Sequence, residues 1–556
     1  MREGVSLDLT TGEAGPTGPG EGAVEIAAEV LMRLVLQPPT AVPGAVRALH
    51  LIGAHVTGHL CMRYASIDVP VTIANCRFDQ PVQLDGATVR AMDFTGSQFP
   101  ALEADGLRID GDLTLHHVNT GLVSLFGANV AGNLWLTGAH IDGPLRGPQL
   151  TVKGGIYAKS MNARGRVNLW GARAFTLELD HASLASDDGL ALRTTGIQLE
   201  QNLEGSHLSI TDGGVDLFGA KIGGQLRFEH AALRNANGWA VHAPMLTVGG
   251  NIYGRGLTAD GGIDLAGASI GASIELPAAT LTGQHRQALS APAIRIGGRM
   301  SLDDRSRIAG AVTLSRSEIN GTLSFATVEF TEDSTVDLRH AVVGKLDMTA
   351  LSPPPAVLDL RNAAVGTIDD DPTAWPTHIR FAMCTYQTLH PMLPATERLT
   401  WLQRTADPYH PQPYEELANH YRRIGHDDEA RTTAVARHQR RRNGLPPIRR
   451  FWGYIEDATI GYGYRANRAL GWLTALTAAV TVVFAANPPQ PAQPSGPPFQ
   501  PVVYALDLIL PVLDLRQERA FVPVGATQWV AWASTLTGWL LATTAIAGLT
   551  RRLTRP

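Results

Sequence analysis

The chain has 556 residues, which is too long for a single ordinary domain and predicts two to four structural units. Hydrophobic residues make up 44% of it, enough to bury a core, so a wholly disordered chain is excluded. Only 17% of the residues are charged, and 57 glycines with 35 prolines favour a turn-rich, all-β or solenoid body. A net charge of −5 does not fit a dedicated nucleic-acid binder, and we expect no nucleic-acid partner.

Two segments precede the main body of the chain. Residues 1–20 are polar and rich in glycine, proline and threonine, which predicts a disordered N-terminus. They contain no basic stretch followed by an apolar one, so no secretory signal is visible and we expect the chain to start in the cytoplasm. In residues 21–44, apolar side chains recur at helical spacing until Pro38, which predicts a cap helix.

A repeat fills residues 45–370. Its copies share alternating apolar residues and a small pair such as Gly219-Ala220, at which the alternation changes phase. The clearest copies are Leu49–Leu60, Val123–Leu134, Val215–Leu226 and Ile263–Ile274. Such a phase change indicates a corner between two short strands, and a fixed period of roughly 22–24 residues is typical of a solenoid. The sequence therefore predicts a parallel β-helix of about 14 coils.

One outward position of the repeat is acidic in several copies. The four residues that we predict as a possible interaction face are Asp216, Asp264, Asp337 and Asp359. Stacked acids of this kind could bind a cation or a basic partner, and the alternative is a solvated face that keeps the strands soluble. The GGxGxD nonapeptides of calcium-binding coils do not accompany them, so we predict no metal site.

Residues 371–450 lose the alternation and predict a helical linker. A helix, a turn at Gly425 and a second helix that ends near Arg442 are expected there. The residues that resemble the latter half of one tetratricopeptide unit are Leu417, Ala418, Tyr421, Gly425, Glu429 and Ala430. A single hairpin cannot form a superhelix, so we interpret it as a cap or coupling element.

Residues 451–556 predict a membrane hairpin. The stretches 469–486 and 527–550 lack charged residues, and a helix needs about 20 apolar residues to cross a bilayer. Arginines flank the outer ends of this pair, which predicts a multi-pass cell-membrane protein with both termini and the β-helix in the cytoplasm. The predicted membrane-proximal basic residues are Arg440, Arg441, Arg442, Arg449, Arg450, Arg465, Arg468, Arg551 and Arg552.

Between the two predicted spans, residues 502–515 are apolar but too short to cross a bilayer, which predicts a re-entrant or interfacial segment. Two spans around such a segment also suggest a channel. However, the only GYG, at Gly461–Gly463, precedes the first span, so a backbone-carbonyl filter is not supported. The predicted fold class is mainly β: a parallel β-helix (solenoid) with a C-terminal helical hairpin and two transmembrane helices.

Several motifs together resemble a bacterial family from high-GC genomes. Its members combine GARIxGxLxL-type coils, a YxPQPYEQLAxxYRxxGxxxEAR hairpin and a GYGYRPxRAL motif before two terminal membrane helices. The matching segments here are Tyr409–Leu417, Tyr421–Arg431 and Gly461–Leu470, with Ala466 where the family favours proline. The family is labelled pentapeptide-repeat-like or membrane-associated oxidoreductase. The resemblance thus implies a membrane-associated β-helix and brings no residue-level chemistry with it.

The residues themselves do not support the oxidoreductase label. There is no GxGxxG between a strand and a helix, no CxxCH, no HExxH and no P-loop. Gly267–Gly271 matches GxSxG but lies on a repeat corner without a following helix, unlike a nucleophile elbow. Cys61, Cys76 and Cys384 form no CxxC pair and are expected to be free thiols. We predict no catalytic residue and no cofactor.

Three functional hypotheses remain. The sequence favours a non-catalytic, membrane-anchored scaffold whose β-helix binds a protein partner. The second hypothesis is an enzyme, either the oxidoreductase of the family label or a carbohydrate-active β-helix. The third is a degenerate, two-helix channel-like protein that forms by oligomerisation of the hairpin. A homo-oligomer is among the possible partners.

Overall fold

The protein is represented by a computed structural model that divides into two compact units. It describes residues 5–8, 24–37, 47–405, 408–443, 466–493, 497–510 and 514–553. The first unit comprises residues 1–392 with 404–406, and the second comprises residues 393–403 with 407–556.

The first unit is a parallel β-solenoid of about 15 coils, so the β-helix prediction is confirmed. Each complete coil has four sides, and the strand on each side pairs in parallel with its equivalent one coil later. Met92, for example, pairs with Leu113, which pairs with Leu134. Successive coils therefore lie about 4.8 Å apart, as neighbouring strands do in any sheet.

Sides 1 and 2 form one continuous sheet. The strands of side 1 are Ser66–Ile67, Thr88–Val89, Arg108–Ile109, Asn129–Val130, Thr151–Val152, Arg173–Ala174, Gln198–Leu199, Lys221–Ile222, Thr247–Val248, Ser269–Ile270 and Arg295–Ile296. The strands of side 2 are Leu49–Ile52, Val71–Ala74, Met92–Asp93, Leu113–Thr114, Leu134–Trp135, Ile156–Tyr157, Leu177–Glu178, Leu203–Glu204, Leu226–Arg227, Ile252–Tyr253, Ile274–Glu275 and Met300–Ser301. Longer strands that cover both sides are Glu318–Ser324, Val342–Met348, Ala364–Asp370 and Thr385–His390.

Sides 3 and 4 form the second large sheet. The strands of side 3 are His55–Thr57, Arg77–Phe78, Gln98–Phe99, Asn119–Thr120, His140–Ile141, Asn162–Ala163, Ala232–Arg234, Thr258–Asp260 and Glu329–Phe330. The strands of side 4 are Val82–Gln83, Leu102–Glu103, Val123–Ser124, Leu145–Arg146, Val167–Asn168, Val241–His242, Ile263–Asp264, Thr335–Asp337, Val357–Asp359 and His378–Arg380. Longer strands that cover both sides are Ser183–Arg193, Ser209–Asp216, Thr280–Ser290 and Arg307–Thr313.

The core lies inside the coils and is filled at a five-residue spacing. Val82, Leu84, Ala87, Val89 and Met92 are all buried, so each side contributes two inward residues in about five. A strand of two residues turns one side chain inward and the next outward, which explains the apolar alternation in the sequence. The four-sided coil, with a corner after each such pair, is the detail that the 22–24-residue period alone does not predict.

Two of the four corners in each coil contain a residue in the left-handed region. Gly127 and Gly219 occupy one such corner with φ of 63° and 61°, as the Gly-Ala pairs suggest. Residues with side chains occur in these corners as well. Gln149 lies in the same corner as Gly127, and His207 lies in the other one, between sides 2 and 3, both with φ of 58°. The coil geometry therefore imposes the left-handed conformation at these corners. Glycine adopts it most easily, but other residues adopt it there too.

Two short segments before residue 45 add strands to the N-terminal end of the solenoid. Val5–Asp8, within the stretch for which the sequence predicts disorder, pairs in parallel with Leu49–Ile52. Glu25–Ala27 pairs with His55–Thr57, and helix α1 (Ala28–Leu36) follows it directly. α1 buries Leu31 and Val35. Its whole length lies within residues 21–44, for which the sequence predicts a cap helix.

The coils continue beyond residue 370. After a short 3-10 helix at Pro372–Ala374, His378–Arg380 and Thr385–His390 pair with the preceding coil. Arg404 then returns to this end, and its guanidinium donates to the carbonyls of Trp375 (2.9 Å) and Pro376 (3.0 Å). These contacts belong to the first unit.

The second unit begins with three helices, α2 (Ala395–Gln403), α3 (Gln412–Arg423) and α4 (Asp427–Asn443). The chain reverses between α3 and α4 at Gly425, whose φ of 79° suits a residue without a Cβ. Tyr421 is buried and donates its hydroxyl to the Leu393 carbonyl at 2.7 Å. The backbone amide of Ala395 donates to Glu429 at 2.7 Å, so the three helices form one packed group.

The same unit contains a cluster of four further helices, α5 (Ala466–Ala486), α6 (Pro501–Ile509), α7 (Gln517–Ala520) and α8 (Ala526–Leu553). Its buried centre includes Phe484, Tyr504, Ile509 and Phe521, and burial raises the pKa of Tyr504 to about 12. Gln490–Pro491 pairs with Phe521–Val522 in an antiparallel bridge. α8 leaves Trp529, Leu536 and Trp539 exposed, at 71%, 76% and 55%.

The prediction of two transmembrane helices is wrong. Within the described part of the chain, no helix combines the length and the apolar character that a bilayer crossing requires. The prediction counted residues without charge, but the stretch 527–550 includes Gln528, Ser534 and several threonines, which are uncharged and still polar.

The multi-pass localisation is wrong for the same reason, and the predicted re-entrant role of residues 502–515 depended on it. Residues 502–509 belong to α6, and Asp507 accepts hydrogen bonds from the amides of Leu515 (2.7 Å) and Glu518 (2.8 Å). Of the predicted membrane-proximal arginines, Arg440, Arg441 and Arg442 belong to α4. Those whose side chains lie outside the described residues are Arg449, Arg450, Arg465, Arg468, Arg551 and Arg552.

Candidate interaction surface

The predicted acidic residues Asp216, Asp264, Asp337 and Asp359 occupy one outward column of side 4. Register places Asp216 one coil before His242 and His242 one coil before Asp264. Asp337 likewise pairs with Asp359 in the next coil. The column is therefore real as a geometric feature, and its binding of a partner stays a prediction.

The carboxylates of this column already have partners inside the solenoid. Each accepts the backbone amide two residues later, for example Phe218 on Asp216 (3.0 Å) and Ala266 on Asp264 (3.1 Å). This is the Asx arrangement by which aspartate stabilises a turn. Asp359 also pairs with Arg361 at 2.6 Å. These groups support the corner after side 4, which leaves few acceptors for a ligand.

Further towards the N-terminus, the same side carries a different surface. Val123, Leu145 and Val167 point inward on three successive coils, so Ser124, Arg146 and Asn168 point outward. The outward column is thus acidic in later coils and changes to serine, arginine and asparagine here. These three residues lie along one side of a groove of about 520 Å³.

A stack of glycines makes room for this groove. Gly121, Gly143 and Gly165 occupy the corner between sides 3 and 4 on successive coils. A Cβ on Gly165 would stand 2.6 Å from the Gly143 carbonyl oxygen, closer than real Cβ atoms approach any atom. Glycine is required here because of this contact, and it leaves this position of the corner without a side chain.

The next coil closes one end of the groove with a raised lip. Earlier coils have 20 to 22 residues, whereas Leu177 pairs with Leu203, 26 residues later. The extra residues lie within the strand Ser183–Arg193, whose pairing shifts register between Ala185 and Leu190. Ser186, Asp187 and Asp188 line the groove from this lip, and the two aspartates are exposed.

Three arginines face the groove and differ in their partners. Arg164 pairs with Asp142 at 3.4 Å and Arg166 pairs with Asp188 at 3.2 Å. The Nε of Arg166 is buried and has no hydrogen-bond partner in the described structure. Arg146 is exposed and forms no ion pair with any described residue. Of the three guanidiniums, that of Arg146 is therefore the one without an anion among the residues that the structure describes.

An apolar ridge runs beside the groove, along the corner between sides 4 and 1. Phe126, Trp170 and Phe218 stand at equivalent positions of this corner and are 48%, 42% and 46% exposed. Pro148 occupies the same corner on the coil between Phe126 and Trp170, as the hydrogen bond from the Gly127 amide to its carbonyl shows. Asp105 orients the end of the ridge, since it accepts hydrogen bonds from Ser124 Oγ (2.6 Å) and the Phe126 amide (2.9 Å).

A second groove, of about 700 Å³, lies on side 1 and is less elaborate. Lys153, Arg173 and Lys221 border it, and all three are exposed on the flat face of the strands. It has no lip and no buried donor in the described structure. Exposed lysines and arginines on a sheet are ordinary solvated residues, so the groove on side 4 is the stronger candidate.

Stacked rings form two further columns on the solenoid. Trp135 stacks on Tyr157 at 4.3 Å, and His181 stacks on His207 at 4.7 Å, with His230 one coil further at 5.3 Å. The histidine rings are nearly parallel, which sets their nitrogens side by side without convergence. Among the described residues, no group of three or more histidine, cysteine, aspartate or glutamate side chains could hold a metal ion.

Sequence reasoning missed the arginine groove. The signals that could have found it are the lengthened coil between Leu177 and Leu203 and the recurrence of Gly121, Gly143 and Gly165 at nearly equal spacing. Both are visible only once the coil boundaries are known. The histidine columns were missed for the same reason, because their spacing follows the unequal coil lengths.

Comparison with known proteins adds no assignment to this geometry. No protein-family model matches the chain, and no curated protein and no solved structure matches it either. The family resemblance suggested by the sequence motifs therefore stays a prediction.

Proposed function

We propose that the chain is a non-catalytic β-solenoid scaffold that binds a protein partner along side 4. The observation that supports this most directly is the apolar ridge. Phe126, Trp170 and Phe218 stand outward at equivalent corners, each more than two-fifths exposed. Phe126, Pro148 and Trp170 follow one another on three successive coils, and Phe218 stands two coils beyond Trp170 with Thr195 between them. A row of large exposed apolar side chains marks an interaction surface, whereas single exposed ones are common.

The chemistry beside the ridge also favours a protein. Aromatic residues and arginine are the residue types most enriched at protein interfaces, and both occur here within a few coils. A nucleic acid would call for a basic stripe that follows its backbone over many phosphates, whereas the arginines of this groove lie in one small patch together with Asp105, Asp187 and Asp188. The aspartates of the outward column accept backbone amides, a supporting role in the fold, so they do not favour catalysis on this side.

Site-specific photo-crosslinking in cells that naturally express the chain tests the proposal. A photoreactive phenylalanine replaces Phe126 or Phe218 in the full chain, and Phe175 serves as the matched control. Phe175 is 43% exposed, almost the same as Phe218, but it lies at the corner between sides 1 and 2. We expect the two ridge positions to capture the same protein and Phe175 to capture none.

Three outcomes would overturn this proposal. Equal capture from Phe175 would show that any exposed aromatic residue of the solenoid yields an adduct, so that the ridge has no special role. An adduct formed only with a second copy of the chain would show that the ridge is a self-association surface. Absence of any adduct at both ridge positions would equally contradict a partner on side 4.

A further inference from the structure

We infer that the groove on side 4 binds an acidic peptide segment of the partner, with a carboxylate on Arg146 and Arg166 and an apolar side chain against Phe126 and Pro148. This inference deepens the proposed function and depends on it for the nature of the partner. The groove would select a segment that carries an acidic side chain next to an apolar one.

The unused donors of the groove are its main support. The Arg166 guanidinium is one-third exposed and shares one nitrogen with Asp188, but its buried Nε has no acceptor in the described structure. A carboxylate in the groove can reach the exposed third of this guanidinium, whereas the Nε itself has no exposed surface. Arg146 is exposed on the same side, one coil earlier, without an anion in the described structure. The two guanidiniums provide a two-point site for carboxylates.

The apolar wall distinguishes a peptide from a simple anion. Phe126 and Pro148 line the same groove as Arg146, on the next corner of the coil. Inorganic phosphate or sulfate would gain nothing from this wall. A peptide offers both a carboxylate and a neighbouring apolar side chain, so it can satisfy the arginines and cover the exposed part of Phe126 together.

The aspartates of the lip regulate the strength of the site. Asp188 occupies part of Arg166 at 3.2 Å, and its side chain is 72% exposed. Because it is exposed, it gives up little when a ligand carboxylate displaces it. An acidic ligand therefore competes with Asp188 for Arg166, so loss of the Asp188 charge would strengthen its binding. A basic ligand would bind to Asp187 and Asp188 themselves, so the same loss would weaken its binding. This opposite dependence allows the sign of the ligand charge to be tested.

The experiment measures fluorescence anisotropy of a labelled oligo-glutamate peptide that carries one leucine, with the purified full chain. We expect Arg146→Gln and Arg166→Gln each to weaken binding about tenfold, as loss of one charge-assisted hydrogen bond would. Arg77→Gln is the matched control, because Arg77 is exposed on side 3, outside the groove, and should leave binding unchanged. Asp188→Asn should tighten binding. Thermal unfolding of each variant verifies that the solenoid stays folded.

Several results would overturn the inference. Tighter binding of an oligo-lysine peptide, or weaker oligo-glutamate binding by Asp188→Asn, would mean that the groove prefers a cation. Equal binding of polyphosphate with the same arginine dependence would mean that it recognises anions without regard to a peptide. No oligo-glutamate binding, combined with crosslinking at Phe218, would contradict this inference and leave the proposed function intact.

Discussion

Gly165 lies so close to Gly143, one coil earlier, that a Cβ on Gly165 would stand 2.6 Å from the Gly143 carbonyl oxygen. The backbone nitrogen of Pro144 would be equally close, so the Cβ would meet main-chain atoms and no flexible side chain could yield. The stacked glycine corner is therefore a consequence of the spacing between coils. It also keeps the floor of the groove open.

We predict that Gly165→Ala destabilises the solenoid by about 3 kcal/mol, the upper part of the range for overpacking. Gly171→Ala is the control, because Gly171 has a φ of 64° and nothing within 4 Å of a new Cβ. That variant should lose only about 1 kcal/mol, the strain of a side chain in the left-handed region. Denaturant unfolding of both variants checks the prediction, and equal losses would contradict the close stacking.

Acid should weaken the C-terminal coils through Asp359. Burial alone would raise the pKa of this carboxyl, but hydrogen bonds from Arg361 and the charges of Arg361 and Arg380 outweigh it, so its pKa lies below the ordinary value. A carboxyl with a lowered pKa stabilises the fold above its unfolded pKa of about 3.9, and this contribution is lost as the pH falls through the folded value.

Asp359→Asn should therefore lower the thermal midpoint at pH 7 and differ less from the wild type as the pH falls below about 4. The comparison is a series of calorimetric scans from neutral to acidic pH. Asp110→Asn, an exposed residue on the corner between sides 1 and 2, is the control and should show no such convergence. A gap between Asp359→Asn and the wild type that stays constant with pH would contradict the role of the ionised carboxylate.

The sequence predicted the solenoid because its main signal is local. Residues such as Val215 and Leu217 alternate with outward residues, and a phase change at Gly219-Ala220 marks the corner. The four-sided coil and the lip were not predictable in this way. They depend on how many residues each corner holds, and only the pairing of Leu177 with Leu203 reveals the longer coil.

The membrane prediction failed for a different physical reason. It treated absence of charge as equivalent to apolar character, although Gln528 and Ser534 interrupt the described part of α8 with groups that hydrocarbon does not solvate. The groove of Arg146 and Arg166 was missed because a single arginine in one copy of a repeat looks like ordinary surface variation. It becomes notable only beside the lip of Asp187 and Asp188.

Cys76 should resist thiol reagents in the native protein. Burial raises the pKa of its thiol to about 11, and the residue has no exposed surface. At pH 8 such a thiol is ionised to about one part in a thousand, and the thiolate is the reactive form. Cys61 is only partly buried, whereas Cys384 is buried like Cys76.

We expect iodoacetamide at pH 8 to modify Cys61 first and to reach Cys76 and Cys384 only after addition of guanidinium chloride. Mass spectrometry of proteolytic peptides identifies the modified positions. A Cys61→Ser variant provides the control, since it should remain unmodified under native conditions. Native labelling of Cys76 as fast as Cys61 would show that the first coils open readily.

Tyr421 should stabilise the helical group of the second unit through one hydrogen bond. Its hydroxyl donates to the Leu393 carbonyl at 2.7 Å, and burial raises its pKa to about 12. The bond therefore contributes fully below the unfolded pKa of about 10 and is lost as the pH rises towards 12. Tyr421→Phe removes the donor and leaves the carbonyl without it, which should cost about 1–2 kcal/mol.

Hydrogen–deuterium exchange of the peptides that cover α2 and α3 measures this loss, and local opening should become about tenfold more frequent. Tyr409→Phe is the matched control. Its hydroxyl also donates to a main-chain carbonyl, that of Arg437, but at 3.2 Å and from a half-buried ring, so its removal should matter less. If exchange rises more in Tyr409→Phe than in Tyr421→Phe, the prediction is contradicted. The longer and less buried hydrogen bond would then contribute more stability than the shorter and buried one.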